Sequence, residues 1–201
     1  MKKSLIGIAA AAATAALLAG CSGNSDMAGM NHSSTAATPT SGQAAGNNAD
    51  DIAFAQGMVP HHQQAIDMAK LVPTRSQNPK VLDLAKKVEA AQDPEITKMN
   101  EWLKAWGAPA STSMPGMDHG SMPGMSGMMT AEDMKMLDQA KGAAFDKMWL
   151  EMMIKHHEGA VEMAKTELSK GGSADAKKLA QDIIDAQQKE ITEMQGLLKS
   201  A

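Results

Sequence analysis

Cysteine is nearly absent from this chain: Cys21 is the only one among 201 residues. One thiol excludes an intrachain disulfide, and it equally excludes a thiolate metal site assembled within one chain. Aromatic residues are also scarce, with two Phe, three Trp and no Tyr. Methionine is abundant instead, at 19 residues, and its flexible thioether packs well in irregular cores. An excess of positive charge is missing as well. Beyond the first 20 residues, which hold Lys2 and Lys3, 17 basic residues face 23 acidic ones. No basic patch supports nucleic-acid binding. No segment carries the period-two, β-branched alternation of a strand, so the expected class is all-α.

The one long apolar run, Leu5 to Ala19, follows the two lysines and ends in LLAGC. It is too brief to span a bilayer with normal flanks, and its ends describe a secretory signal over residues 1–20. The Leu-Ala-Gly-Cys ending resembles a bacterial lipobox, whose cysteine becomes the lipidated first residue of the mature chain. Cys21 is thus the expected lipidation site, against the plainer alternative of a cleaved signal with an incidental cysteine. The protein is expected to be exported and to face the periplasm or cell exterior, meeting the membrane through its anchor alone.

Residues 21–48 are Ser/Thr/Gly/Ala/Asn-rich with no apolar period, which reads as a flexible tether. Helical periodicity fills 49–106 and 130–201, and a Gly/Pro/Met-rich linker, 107–129, separates them. Asn78-Pro79, Gly107, Thr130 with Asp133, Gly171-Gly172 and Ser173 mark helix ends, and an extra short helix fits near 131–140. Pro60 predicts a kink or a break, since an interior proline costs about 3 kcal/mol. A shift of 95 residues aligns Asp51–Lys104 with Asp146–Lys199 without a gap, 18 of 54 positions being identical. Each half is one helical hairpin that cannot cover its own apolar stripe. The two are therefore expected to pack as a single pseudo-symmetric four-helix bundle over 49–201.

The repeat centres on MVPHHQQAIDMAK (58–70) and MIKHHEGAVEMAK (153–165), which hold four of the six histidines. At about 100° per residue, Asp51, Phe54, Met58, His61, Ala65, Met68 and Ala69 share one face, flanked by His62. The second copy presents Asp146, Trp149, Met153, His156, Ala160, Met163 and Ala164, flanked by His157. On the partner helices, Leu84, Val88, Gln92, Glu95, Met99 and Leu103 are matched by Leu179, Ile183, Gln187, Glu190, Met194 and Leu198. The apolar members mark these as core faces. An unpaired polar group there costs about 1–3 kcal/mol, yet His, Glu and Met are fixed in both copies while the apolar residues between them vary. Core hydrogen bonding is the plain explanation; a ligand site is the sharper one.

Donor softness points to copper, Cu(I) above all, with Cu(II) or Ag(I) as alternatives. The Glu-x-x-His pattern of di-iron bundles is absent, and zinc gains little from methionine. The linker adds Met114, Met117, His119, Met122, Met125, Met128 and Met129 in a stretch expected to form no core, and the tether adds Met27, Met30 and His32. Thioethers need no deprotonation outside the cell. Imidazole sites, by contrast, are expected to weaken below about pH 6.5.

The paired words M-[VI]-x-H-H-x-x-A-[IV]-[DE]-M-A, each followed by Q-x-x-E-I-x-x-M, resemble the bacterial exported family known as domain of unknown function 305. That resemblance implies a ferritin-like fold and, through its CopM-type periplasmic members, copper or silver sequestration and tolerance. Carried onto this chain, the implied ligands are Met58, His61, His62 and Met68, with Met153, His156, His157 and Met163. Glu95, Met99, Glu190 and Met194 are candidates from the neighbouring helices. Pro60 fits the family's usual form, whereas Lys155 departs from it. The expected function is lipid-anchored copper binding for sequestration, tolerance or delivery, without catalysis, with a copper pump, chaperone or oxidase as partner. A ferritin-like metal oxidase and a metal-independent structural or partner-binding bundle are the alternatives.

Overall fold

In a computed structural model, residues 46–110 and 126–200 are described. They form five helices: α1 (Ala49–Arg75), α2 (Pro79–Ala105), α3 (Ala131–Gln139), α4 (Gly142–Lys170) and α5 (Ala174–Lys199). The all-α expectation holds. α1 pairs with α2 and α4 with α5, and the two hairpins pack through α1 and α4. The short α3 lies at Ala131–Gln139, beside α4.

Local chemistry sets the helix ends. Asn48 caps α1 by accepting from the Asp50 and Asp51 amides at 2.8 and 3.1 Å, satisfying donors that a helix start leaves open. Thr130 and Asp133 form the reciprocal capping box of α3, at 3.1 and 3.0 Å. Gly107, at φ 66°, lets the chain turn back so that Gly107 and Ala108 donate to the Lys104 and Leu103 carbonyls; this closes α2 as a Schellman motif. Pro60 neither ends nor divides α1, which runs unbroken through it. Burial of Pro60 and both neighbouring histidines shows that tertiary packing outweighs the lost backbone bond.

The core is two apolar clusters with a polar layer between them. One gathers Met68, Val72, Leu84, Val88, Leu137, Phe145, Trp149, Met153 and Met194. The other gathers Phe54, Met58, Met99, Leu103, Met163, Leu179 and Ile183. Each fully buried large apolar side chain contributes about 1.5–3 kcal/mol. Arg75 ties α1 to α3 through the Asp138 carboxylate (2.7 Å) and carbonyl (2.9 Å), and Lys87 reaches Glu193 across α2 and α5 at 3.1 Å. Among the described residues no helix is long and apolar enough to cross a membrane.

Candidate metal centre

Between the clusters, α1 and α4 run antiparallel and touch through their histidines. The Trp149 indole donates to the Met68 carbonyl at 3.1 Å. One further stretch along, the His61 and His156 rings meet with centroids 3.8 Å apart and planes tilted by 42°. His156 is the 95-residue image of His61, so the pseudo-twofold axis of the repeat passes between these two rings.

A His-His dipeptide on a helix aims its side chains about 100° apart, and the two directions are used differently. The first ring of each pair faces its counterpart across the axis. The second faces its own hairpin: His62 Nε2 donates to Glu95 Oε2, and His157 Nε2 to Glu190 Oε2, both at 2.7 Å. All four histidines are completely buried, while the two glutamates are 19% and 16% exposed at the layer's rim. Glu95 and Glu190 thus meet imidazole N–H groups, as the orienting carboxylates of metal-binding histidines do. An imidazole that donates from Nε2 in its neutral form keeps its lone pair on Nδ1.

Lone pairs are left over. Nδ1 of His61, His62 and His157 and both ring nitrogens of His156, one a lone pair and the other an N–H, have no hydrogen-bond partner among the described residues, and neither do buried oxygens of Gln92 and Gln187. Native cores rarely leave buried polar atoms unpaired. Plain core hydrogen bonding, the bland explanation, does not account for five orphaned imidazole nitrogens in one layer.

Burial also changes the titration. Desolvation, and then the repulsion a second proton would meet from the adjacent His62 imidazole, push His61 down to about 3, against the opposing pull of the Ser126 carbonyl. Burial holds His156 well below the usual histidine range, with the other imidazoles adding to it. The expectation of imidazole protonation below about pH 6.5 therefore fails for this pair. Both rings stay neutral, and so competent as ligands, in far more acid solution.

The methionines divide by cluster rather than by repeat. Met58 and Met68 lie ten residues apart on α1, about 15 Å along the axis, and fall in different clusters. Met58 and Met99 of the first half join Met163 of the second; Met153 and Met194 of the second half join Met68 of the first. Each triplet is the image of the other under the repeat, and each draws on both hairpins. Among the described residues, no three His, Cys, Asp or Glu side chains form a metal-holding group.

The linker differs from its expected character where it is described. Met129 is 3% exposed and packs in the core cluster with Leu137 and Phe145; its apolar surface is used for packing, contrary to the expectation of a stretch without core contacts. Met128 is half-buried. Cys21, Met27, Met30, His32, Met114, Met117, His119, Met122 and Met125 lie outside the described residues.

Sequence reasoning missed two features. Glu167, 1% exposed, stands where the first repeat has Val72, and a carboxylate in an apolar register was the available signal. Burial, then the adjacent Asp51 carboxylate, push it up to about 8. Burial also opposes ionisation of Asp51, but the Ser173, Asn48 and Gly172 amides and the Glu167 proton outweigh it and hold Asp51 low. As two carboxylates they have nothing to share; with a proton on Glu167 they form a hydrogen-bonded acid–carboxylate pair. Asp51 also accepts from Gly172 (3.0 Å) and Ser173 (2.9 Å), fastening the start of α1 to the α4–α5 turn. The second feature is Ser126, whose carbonyl accepts from His61 Nε2 at 3.1 Å.

Fold and site together define a class: an all-helical bundle of two repeated hairpins enclosing a buried imidazole layer flanked by methionine-bearing clusters. The chain belongs to the family described as domain of unknown function DUF305, whose model matches residues 51–198. It is similar to the crystal structure of a DUF305 protein, presumed secreted, from Streptomyces coelicolor: 34% identity, TM-score 0.68, covering 75% of this chain and 93% of that one. It is also similar to CopM in its Cu(II)-bound form, at 33% identity and TM-score 0.65, covering 75% and 96%. The Cu(I)-bound form of CopM matches at 29% and TM-score 0.63, over the same shares. A stretch of 54 residues is 39% identical to an uncharacterized protein of Acanthamoeba polyphaga mimivirus. That match spans 27% of this chain and 36% of the curated relative's length.

Proposed function

We propose that this protein binds copper, Cu(I) in preference to Cu(II) or Ag(I), outside the cytoplasm, and sequesters or hands on the metal without turnover. The observation that carries the reading is the set of five unpartnered imidazole nitrogens in a fully buried, repeated layer. A methionine triplet lies on each side of the layer, which sets thioethers beside the imidazoles. Imidazole with thioether suits soft copper and silver rather than hard ions. CopM, with copper-bound and silver-bound structures, supports the same reading. His61, His156, His62 and His157 are the imidazole donors, Met58, Met99, Met163, Met68, Met153 and Met194 the thioethers, and Glu95 and Glu190 the carboxylates that orient His62 and His157. The signal-like residues 1–20 and Cys21 support export with a lipid anchor.

Titration of the purified chain with Cu(I) against a competing chelator tests the reading. Stoichiometric Cu(I) uptake is expected, reduced when His61 and His156 are both changed to Gln. A chain that loses every competition, with the double variant indistinguishable from it, would leave the histidine layer a structural device.

A further inference from the structure

We infer that residues 126–129 form a seated strap over the His61–His156 pair, fixing the tautomer of His61 and shielding both rings, and that Gln64 and Gly159 are the positioning residues that seat it. The inference deepens the copper-binding reading and rests on it for its consequence, though not for its geometry.

The strap is anchored at both ends. Gln64 on α1 grips Met129 twice: its Nε2 donates to the Met129 carbonyl at 2.9 Å, and its Oε1 accepts from the Met129 amide at 2.7 Å. At the other end the backbone lies directly on α4. A Cβ built on Gly159 would sit 1.8 Å from the Ser126 oxygen, and one on Gly127 would sit 2.6 Å from the Lys155 carbonyl. Gly127 also has φ 84°, where a side chain is strained. Ser126 Oγ adds a bond to Glu162 at 2.9 Å.

Register explains what lies beneath. With His61 opposite His156 on antiparallel helices, Gly159 is level with Met58, six residues or about 9 Å below Gln64. Two or three extended residues cover that distance, and the span between them passes over the axis where the two rings meet. Ser126 is exposed while His61 beneath it has no exposure, so one thickness of backbone separates ring from solvent. The repeat itself marks the device. Around the histidines the two copies match at Ala65/Ala160, Met68/Met163 and Ala69/Ala164, yet Gln64 is answered by Gly159. The two copies differ where one helix must hold the strap and the other must admit it.

The tautomer follows from the same contact. The Ser126 carbonyl accepts from His61 Nε2, which leaves the lone pair on Nδ1; His156 has no such partner among the described residues. A cavity of ≈ 340 Å³ lined by Ser126, Phe54, Glu162 and Met163 gives the strap space to move aside when a metal approaches.

The test uses the full chain with Gln64→Ala, Gly159→Gln (the residue of the first copy) and, as control, Gln63→Ala, which removes only an exposed bond to Asp67. In the apo protein, ¹⁵N spectra of the imidazoles should show His61 protonated at Nε2 in wild type and control, with that preference lost in the other two. Modification of His61 by diethyl pyrocarbonate and the association rate of Ag(I) should both rise about tenfold or more, as expected for losing two hydrogen bonds from an opening equilibrium. If Gly159→Gln fails to fold, Gln64→Ala decides alone. Unchanged tautomer and modification rate in a folded Gln64→Ala protein overturn the strap, even where Ag(I) binds. Should both apo signals shift while no metal binds, the strap stands and the copper reading falls.

Discussion

At the scale of single residues, the telling contrast is between carboxylates that serve imidazoles and one that serves another carboxylate. Glu95 and Glu190 sit at the rim of the layer and accept from His62 and His157. An orienting carboxylate sharpens a histidine's presentation of its other nitrogen, and its loss usually costs about 10- to 100-fold in metal affinity. Glu95→Ala and Glu190→Ala should each weaken Cu(I) binding by about that factor while the number of ions bound stays constant, measured by chelator competition. A fall in stoichiometry would instead make the glutamates ligands. Glu167 is different in kind, since its proton joins it to Asp51 across the bundle end. Glu167→Gln replaces that proton with a permanent N–H donor, so the variant's melting temperature should become flatter than wild type's between pH 5 and 9. Glu167→Val, the residue of the first repeat, should flatten the same limb but lower stability throughout, because Asp51 loses a partner.

At the scale of helices, the division of methionines is the feature with consequences. Met58 and Met163 belong to different hairpins but one cluster, whereas Met58 and Met68 share a helix but not a cluster. Leu replaces Met in a core at under about 1.5 kcal/mol, so stability need not confuse the readout. Met58→Leu with Met163→Leu should abolish one class of Cu(I) site and spare the other. Met58→Leu with Met68→Leu should weaken both classes and abolish neither. Equal damage from the two pairs, measured by Cu(I) titration, would show that the triplets are not separate sites. This arrangement also marks how far the sequence was readable. The 95-residue repeat, the caps at Asn78, Thr130 and Ser173, and the periodic faces revealed four long helices, the short one before them in the second half, and the buried positions of all four histidines. Periodicity speaks for one helix at a time, so it grouped Met58 with Met68; only the antiparallel crossing of α1 and α4 exchanges them. Met129 was misjudged for a related reason. Its stretch, Ser126-Gly127-Met128-Met129-Thr130, shows no helical apolar period, and its core partners Leu137 and Phe145 come from the next two helices. Pro60 read as a kink or a break; α1 continues through it because local propensity cannot weigh the burial that holds the helix together there.

For the whole molecule, the buried groups set opposing pH slopes on stability. Between about pH 3 and 6.5 the unfolded chain binds a proton at His61 that the folded chain refuses, and His156 behaves likewise. Stability therefore rises with pH across that window. Between pH 4.5 and about 8 the folded chain keeps a proton on Glu167 that the unfolded chain has released, so this contribution fades as pH rises. The apo protein should be most stable near about pH 6.5, where the two slopes balance. Metal raises both limbs, since the central histidines are neutral in the folded state across this range. A ligand held only by the folded state adds about 2.7 kcal/mol at a hundredfold excess over Kd, against a total of about 5–15 kcal/mol for a domain of this kind. Because His61 and His156 remain neutral in acid, bound Ag(I) or Cu(I) should continue to raise the melting temperature by several degrees at pH 5, where an exposed histidine site would already be losing its metal to protons. Changing His61 and His156 together to Gln should flatten the acid limb of the apo protein and shrink the metal-induced shift in the same variant. The measurement is a set of melting curves from pH 4 to 9 with and without Ag(I). If the double variant loses its acid limb but keeps the full metal shift, the two central histidines govern folding and the metal is held elsewhere.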